Sequence, residues 1–180
     1  MNILAILGSR DPEGQTARAT DALLEGTGAH CERVFLPAGR FERCRQCDAQ
    51  GWGLCRSEGR CMIDDDFAAL VDKIKAADVV VFSTPVYWGD LSESMRALTD
   101  RLRRVIRNSA DKTGIENKIA VGICVAGGGG GGGPSCAVSL EKVLRICGFD
   151  LVDVVPVRRQ NLDMKVEVLK ITGRWLSTLV

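Results

Sequence analysis

Residues 2–16 read Asn-Ile-Leu-Ala-Ile-Leu-Gly-Ser-Arg-Asp-Pro-Glu-Gly-Gln-Thr, and this stretch decides the fold. Its uninterrupted apolar run, residues 3–7, ends at a glycine and predicts a strand buried on both faces. A polar loop and a helix-like segment follow. The first amides of a helix have no internal partners and lie at the positive end of its dipole. The stretch therefore predicts a strand, an anion-binding turn and a helix, with side-chain donors from Ser9, Gln15 and Thr16.

Two well-known glycine motifs do not match this loop. A P-loop has four residues between its glycines and then a lysine. Here five residues separate Gly8 from Gly14, and Gln15 stands where the lysine would be. A dinucleotide fingerprint has a second glycine two residues after the first, and Arg10 occupies that position. The loop therefore fits a single terminal phosphate better than ATP or a dinucleotide.

Length and composition favour one domain over residues 1–180, because a hydrophobic fraction of 46% is enough to bury a substantial core. A net charge of +1 gives no electrostatic case for nucleic acid or an anionic membrane. The first apolar run is too short for a signal peptide or a membrane span. Eight cysteines without such a signal favour a reducing compartment, so we expect a cytoplasmic protein. The single histidine, His30, is expected at the surface or a strand edge without a catalytic role.

Apolar runs alternate with helix-like segments along the rest of the chain. Further strands are predicted at residues 34–36, 77–82, 119–125 and 149–157. Helices are predicted at residues 14–26, 67–74, 91–106, 137–147 and 162–179. Gly173 is expected to weaken the last helix by about 1 kcal/mol relative to alanine. The order predicts an α/β fold with a doubly wound, five-stranded parallel sheet.

Three unusual loops follow the first, third and fourth predicted strands, at residues 8–16, 84–90 and 126–135. The carboxyl ends of parallel strands share one edge, and ligands bind there near the point where strand order reverses. The third loop contains seven consecutive glycines, residues 127–133, whose backbone amides can approach a ligand closely. We therefore expect the three loops to form one ligand crevice.

Residues 38–64 form a cysteine-rich excursion after the second strand, without sustained periodicity. Four thiolates suit a cubane iron–sulfur cluster or a structural zinc ion, and a metal-free set is the third alternative. The four candidate ligands are Cys44, Cys47, Cys55 and Cys61. The remaining cysteines lie in predicted strands and helices, so we expect small buried hydrophobic residues at Cys31, Cys124, Cys136 and Cys147.

Three consecutive acids, Asp64, Asp65 and Asp66, precede the predicted helix at residues 67–74. Acidic side chains at this position commonly cap a helix and offset its dipole. We expect that role here in preference to metal binding.

Four motifs in this order together resemble the NADPH-dependent FMN reductase family. They are Gly-Ser-x4-Gly-Gln-Thr at residues 8–16, Thr-Pro-Val-Tyr-Trp-Gly at 84–89, Leu-Thr-Asp-Arg at 98–101, and the glycine loop. The cysteine segment ahead of Asp65-Asp66 resembles the iron–sulfur flavoprotein branch of that family. The match spans nearly the whole chain.

The resemblance implies a flavodoxin-like fold that binds FMN. Family members often have Ser-Pro-Arg after the first glycine, so Arg10 is shifted in alignment here. The aromatic residues of the second loop suit a planar ring. The implied FMN contacts are Ser9, Arg10, Gln15 and Thr16 at the phosphate, Pro85, Val86, Tyr87 and Trp88 at the isoalloxazine ring, and Gly127, Gly128 and Gly129 at the other end of the flavin.

The resemblance also implies the activity: an oxidoreductase that takes hydride from NAD(P)H and passes electrons to a small-molecule acceptor such as a quinone or a flavin. No catalytic side chain is predicted, because the cofactor carries the chemistry. By the same resemblance we expect a homodimer or homotetramer, with the helix at residues 91–107 as a candidate interface. The alternatives are an iron–sulfur electron carrier, and a non-catalytic, metal-stapled interaction module. The choice between NADH and NADPH is left open.

Overall fold

The computed structural model describes residues 1–106 and 114–180. Its strands are β1 (Asn2–Leu7), β2 (His30–Phe35), β3 (Val79–Pro85), β4 (Ile119–Ala126) and β5 (Asp150–Arg158). Its helices are α1 (Gln15–Thr27), α2 (Leu54–Ser57), α3 (Phe67–Ala76), α4 (Glu93–Ile106), α5 (Gly133–Ile146) and α6 (Leu162–Leu176). Short 3-10 turns lie at Leu36–Ala38 and Arg159–Asn161. Among these described helices, none is both long and apolar enough to cross a membrane.

The five strands form one parallel sheet in the order β2-β1-β3-β4-β5. Strand order reverses between β1 and β3, and in a flavodoxin-like sheet this reversal marks the ligand site at the carboxyl ends of the strands. The predicted five-stranded parallel sheet and flavodoxin-like fold are confirmed.

Buried side chains form two clusters, one on each face of the sheet. In β1, Leu4 and Ile6 belong to the cluster under α3, α4 and α5, while Ile3 and Leu7 belong to the cluster under α1 and α6. Because both faces are covered, the central strands appear in the sequence as uninterrupted apolar runs. This explains why those strands could be predicted.

The largest differences from the predicted boundaries are at the starts of β2 and α5. β2 begins at His30 and not at residue 34, because it is an edge strand with exposed charged residues, Glu32 and Arg33, that hide it in the sequence. His30 itself is exposed, as expected. Helix α5 begins at Gly133, because Pro134 fits the first turn of a helix. The glycine loop is therefore shorter than the glycine run.

The apolar stripe of α4 packs within the chain itself. Met95, Leu98 and Leu102 are fully buried under the sheet. Packing within the chain thus accounts for the apolar stripe, and an interface on this helix stays a prediction from the resemblance. The predicted interface extends to Arg107, which lies outside the described residues.

The acids before α3 fasten the cysteine-rich excursion to the start of that helix. An oxygen of Asp66 accepts a hydrogen bond from the Arg40 amide at 2.7 Å, and an oxygen of Asp65 accepts one from the Glu42 amide at 2.8 Å. Asp65 also accepts the Phe67 amide at 3.2 Å, but Asp66, at the N-cap, makes no side-chain cap. The capping role expected for the acids was therefore wrong for Asp66, because its carboxylate binds the distant Arg40 amide instead.

Helices α1 and α6 cross at two glycines. A Cβ on Gly173 would lie 2.1 Å from the carbonyl oxygen of Leu23, and one on Gly26 would lie 2.2 Å from that of Lys170. Real Cβ atoms do not approach backbone this closely, so both positions need glycine. The close crossing outweighs the weak helix propensity that sequence reasoning assigned to Gly173.

We expect Gly173→Ala to lower the free energy of unfolding by about 1–3 kcal/mol, since overpacking forces the helices apart. Urea denaturation measures the change. Gly127→Ala is the matched control, because its Cβ would have no neighbour within 4 Å and its φ is not positive. A Gly173→Ala variant as stable as the control would contradict the crossing contact.

Candidate functional site

One cleft opens at the carboxyl ends of β1, β3 and β4. It holds about 1230 Å³ of space, its open mouth included, which is room for a nucleotide-sized ligand. The first loop contributes Ser9, Gly14, Gln15 and Thr16 to its lining, the second Pro85, Val86 and Tyr87, and the third Gly127, Gly128 and Gly131. The expectation that three loops share one crevice is confirmed.

The first turn of α1 is built to receive an anion. Gly14 is the N-cap in an extended conformation (φ −71°, ψ 175°), and no side chain caps the helix. No acidic residue lies in the first turn, whereas Asp11 and Glu13 of the preceding loop also line the cleft. The leading amides of a helix lack intrahelical acceptors, and the dipole is positive there. The N-terminus of α1, at Gln15 and Thr16, therefore suits a phosphate monoester.

Gly8 joins the first loop to the start of α4. Its amide donates to the Ser83 carbonyl at 2.8 Å, and its carbonyl accepts the Ser94 hydroxyl at 3.2 Å. A Cβ here would lie 2.4 Å from the Ser92 hydroxyl oxygen. A side chain at this position would displace the Ser92 hydroxyl, and the close approach brings α4 to the back of the anion-binding turn.

The second loop ends in a tight turn at residues 87–90. Tyr87 and Asp90 exchange two backbone hydrogen bonds, each of 3.0 Å. The φ angles of Trp88 and Gly89 are 55° and 77°, which is the pattern of a type I′ turn. A left-handed conformation costs a non-glycine residue about 1–2 kcal/mol. Asp90 offsets this strain by binding the Leu91 amide at 2.8 Å and the Arg96 guanidinium.

The pKa of Asp90 is consistent with its hydrogen bonds in this turn. Burial alone would raise it, but hydrogen bonds from the Leu91 amide and the Ser139 hydroxyl, together with the charge of Arg96, keep the pKa below its usual value. Asp90 is therefore a carboxylate that organises the turn.

The glycine loop packs its backbone on this turn. Gly128, Gly130 and Gly132 have φ angles of 47°, 78° and 78°. A Cβ on Gly132 would lie 2.6 Å from the Cα of Gly89. The second and third loops thus hold each other in place, and the glycines are needed for geometry as well as for access.

Gly132→Ala is expected to lower the free energy of unfolding by about 1–3 kcal/mol, because it combines a positive φ with a backbone clash. Thermal or urea unfolding provides the measurement. Gly131→Ala, next in the chain, places its Cβ in open space without a positive φ and should leave stability unchanged. Equal losses in the two variants would mean that the loops do not pack as described.

Three expected contact residues lie outside the cleft lining: Arg10, Trp88 and Gly129. Arg10 is exposed, and the Trp88 side chain projects fully into solvent. Arg18 lines the cleft instead, and its guanidinium donates to Asp163 at 3.1 Å. Sequence reasoning missed Arg18, although it follows Gly14 by four residues and so shares its face of the helix.

The four cysteines of the excursion line a second cavity, beside the C-terminal half of α4. They are Cys44, Cys47, Cys55 and Cys61, and all are free thiols. Burial raises the pKa of the Cys55 thiol, the charge of Arg104 opposes this, and the three other thiols raise the pKa further. The other three thiols therefore lie close enough to affect the pKa of Cys55.

Arg101 ties the excursion to α4. Its side chain and that of Asp65 are each 1% exposed, and two nitrogens donate to the two carboxylate oxygens at 2.6 and 2.8 Å. The guanidinium also donates to the Glu42 carbonyl at 2.9 Å and to the Cys61 sulfur at 3.3 Å. It lies 4.1 Å from the centre of the Phe67 ring. One arginine therefore holds both ends of the excursion and one of its thiols.

Arg104 lies one turn further along α4. A terminal nitrogen donates to the Gly51 carbonyl at 2.6 Å, and the guanidinium lies 4.9 Å from the Trp52 ring. The Nε atoms of Arg101 and Arg104 are buried, and neither has a hydrogen-bond partner among the described residues. Because buried donors in native proteins nearly always have a partner, a bound group or a water is expected at these two nitrogens.

The chemistry of the lining suits a cluster, although the thiols are not gathered into a metal site. In residues 1–106 and 114–180, no group of three or more His, Cys, Asp or Glu side chains is placed to hold a metal ion. Four thiols with two arginines line one cavity, and an iron–sulfur cluster takes four thiolates and carries sulfur acceptors. The cluster, the zinc ion and the metal-free set all stay as predictions for these cysteines.

The remaining cysteines follow expectation with one difference. Cys124, Cys136 and Cys147 are buried, as predicted, whereas Cys31 on the edge strand is only half-buried. The apolar interpretation is confirmed for the first three.

Comparison with known proteins gives a consistent result. A family model described as NADPH-dependent FMN reductase matches residues 1–160. An iron–sulfur flavoprotein of Methanocaldococcus jannaschii is 31% identical over 126 residues, which are 68% of this chain and 62% of that protein. An iron–sulfur flavoprotein of Methanosarcina thermophila is 30% identical over 158 residues, 84% of this chain and 77% of that protein. The match to the first thus spans less than two thirds of that protein's length.

Among solved structures, an NAD(P)H:quinone oxidoreductase from Methanothermobacter marburgensis superposes with a TM-score of 0.69 at 18% identity, covering 98% of both chains. At this identity the likeness supports the fold alone.

Proposed function

Because the chain belongs to the NADPH-dependent FMN reductase family, we propose that it is an FMN-dependent oxidoreductase that takes hydride from NAD(P)H and passes the electrons to a small-molecule acceptor such as a quinone or a flavin. The observation that carries the proposal is the single cleft between the α1 N-terminus, the Tyr87 turn and the glycine loop. Its walls suit the two parts of FMN, a phosphate monoester and a planar ring.

Each wall has a separate role in binding. The amides of the first turn of α1 would hold the phosphate, with Ser9, Gln15 and Thr16 as further donors and Arg18 as a nearby cation. Pro85, Val86 and Tyr87 would contact the ring, and Gly127 and Gly128 would offer backbone amides to it. Arg10, Trp88 and Gly129 lie outside the lining and remain predicted contacts.

The chain supplies binding and orientation, and no side chain of the cleft is needed as a general acid or base. When bound, the flavin supplies the capacity to accept a hydride and to release the electrons afterwards. The cleft is open at its mouth, so a nicotinamide and then an acceptor have access from the same side.

The test is anaerobic addition of NADPH or NADH to the FMN-loaded protein. The expected result is loss of the visible flavin absorbance and its return when a quinone is added. A protein that takes up no FMN contradicts the proposal. A bound flavin that stays oxidised with both nucleotides favours a non-catalytic binding module instead.

A second function is favoured by the cysteine cavity: electron transfer through an iron–sulfur cluster. We propose Cys44, Cys47, Cys55 and Cys61 as ligands of a 4Fe-4S cluster, because the four thiols and two arginines, Arg101 and Arg104, line one cavity. When bound, the cluster supplies one-electron capacity. Anaerobic reconstitution followed by iron and sulfide analysis tests this. Zinc uptake in place of iron would contradict it.

The assembly of two or four identical chains remains a prediction from the resemblance. Light scattering of the FMN-loaded protein measures it, and a monomer would contradict it.

A further inference from the structure

Two arginines of α4 form one side of the cysteine cavity. Arg101 and Arg104 are three residues apart, so they lie on the same face of the helix, and both line the cavity together with the four cysteines. Arg103 lies between them in sequence but does not line the cavity, and its guanidinium donates to Asp100 at 3.3 Å. The helix therefore places the charges of Arg101 and Arg104 beside the thiols, whereas Arg103 lies outside the cavity.

The two arginines differ in how their charge is balanced. Arg101 forms a buried bidentate pair with Asp65, so its charge is matched by a carboxylate. Within the part of the chain that the structure describes, Arg104 forms no ion pair, and its partners there are the Gly51 carbonyl and the Trp52 ring. Arg104 is thus the cavity cation whose charge is not offset by an acid of the described chain.

Arg104 also carries a hydrogen-bond donor without a partner. Its Nε is buried and has no partner among the described residues, although buried donors in native proteins nearly always have one. Thiolates and sulfides of an anionic cluster would accept this hydrogen bond. Net charge and hydrogen bonds to the sulfur atoms are two of the factors that set the reduction potential of such clusters.

We propose that Arg104 sets the reduction potential of the iron–sulfur cluster, with its charge and its Nε–H donor both favouring the reduced, more negative form. The inference rests on the proposed function of the four cysteines as cluster ligands. It assigns to this chain a tuning residue that poises the cluster as an electron acceptor and leaves Arg101 as the structural anchor.

The test is a mediated titration with dithionite, followed by the electron paramagnetic resonance signal of the reduced cluster. Arg104→Gln is expected to lower the equilibrium constant for one-electron reduction about tenfold or more, which corresponds to about 59 mV for one electron. Iron content per chain is measured in the same samples. Arg103→Gln removes an equal charge one residue away and should leave the potential unchanged.

The outcomes separate the two proposals. A wild-type protein that binds no iron contradicts the cluster itself. A wild type and an Arg104→Gln variant with equal iron content and equal potential overturn the tuning role, and so does an equal shift in Arg103→Gln. Where Arg104→Gln loses its cluster, Arg104→Lys carries the test, because it keeps the charge and lacks the planar donor. The reduction potential of Arg104→Lys should then lie below that of the wild type by less than about 59 mV. An Arg104→Lys potential equal to that of the wild type overturns the proposal.

Discussion

Arg101→Met is expected to lower the free energy of unfolding by about 3–5 kcal/mol, because removing one partner of a buried ion pair leaves the other charge buried and unpaired. Arg101 and Asp65 are both 1% exposed, and the guanidinium also holds the Glu42 carbonyl and the Cys61 thiol. The variant should therefore loosen the cysteine-rich excursion as well as destabilise the core.

Urea denaturation of the wild type and the variant measures this effect. Arg145→Met is the control, since Arg145 pairs with Glu141 on the surface of α5 with side chains 59% and 47% exposed. Exposed pairs of this kind contribute about 0.3–0.5 kcal/mol. If Arg101→Met lowers the free energy of unfolding no more than Arg145→Met does, Arg101 does not anchor the excursion.

The pH dependence of the same measurement gives a second check. Burial alone would raise the pKa of Asp65, but hydrogen bonds from Arg101 and from the Glu42 and Phe67 amides outweigh it and keep the pKa below the usual value. A lowered folded pKa contributes stability above about pH 4, the unfolded value, and this contribution is lost as pH falls through the folded pKa. The free energies of unfolding of the wild type and of Arg101→Met should therefore become more similar as the pH falls below about 4.

Gln15→Glu is expected to weaken FMN binding about a hundredfold, because charges a few ångströms apart near a protein surface interact by several kcal/mol. The substitution keeps the shape of the side chain and adds one negative charge at the first residue of α1. The same charge should stabilise the flavin-free protein by about 0.3–1 kcal/mol, since it lies at the positive end of the helix dipole. Loss of affinity and gain of stability together are not expected from general damage.

Flavin fluorescence quenching measures the affinity of both proteins for FMN. Riboflavin, which lacks the phosphate, serves as the control ligand, and its affinity should not change. Equal weakening of FMN and riboflavin would place the phosphate away from Gln15.

The sequence predicted the sheet well where burial controls composition. β1, β3 and β4 are covered on both faces and appear as apolar runs, whereas the edge strand β2 carries Glu32 and Arg33 and was predicted too short. Helix propensity misjudged Gly173, because the crossing of α1 and α6 depends on tertiary packing. Local patterns carry no information about such a contact.

The site was predicted in outline and missed in detail for similar reasons. Three loops at the carboxyl edge follow from topology, so their convergence could be expected. The outward position of Trp88 depends on a turn with two positive φ angles. The sequence Tyr-Trp-Gly-Asp does not predict that turn. The excursion is organised by Arg101 from a distant helix, so its lack of periodicity concealed an ordered arrangement.

Titration of the flavin-free wild-type protein with FMN and, separately, with ATP tests the central claim most directly. The free amides at the start of α1 predict tight binding of one FMN per chain. Position 15 carries glutamine where an ATP-binding P-loop has lysine, so no detectable binding of ATP is predicted. A protein that binds ATP, or that leaves FMN free in solution, would contradict the assignment of the cleft as a flavin monophosphate site.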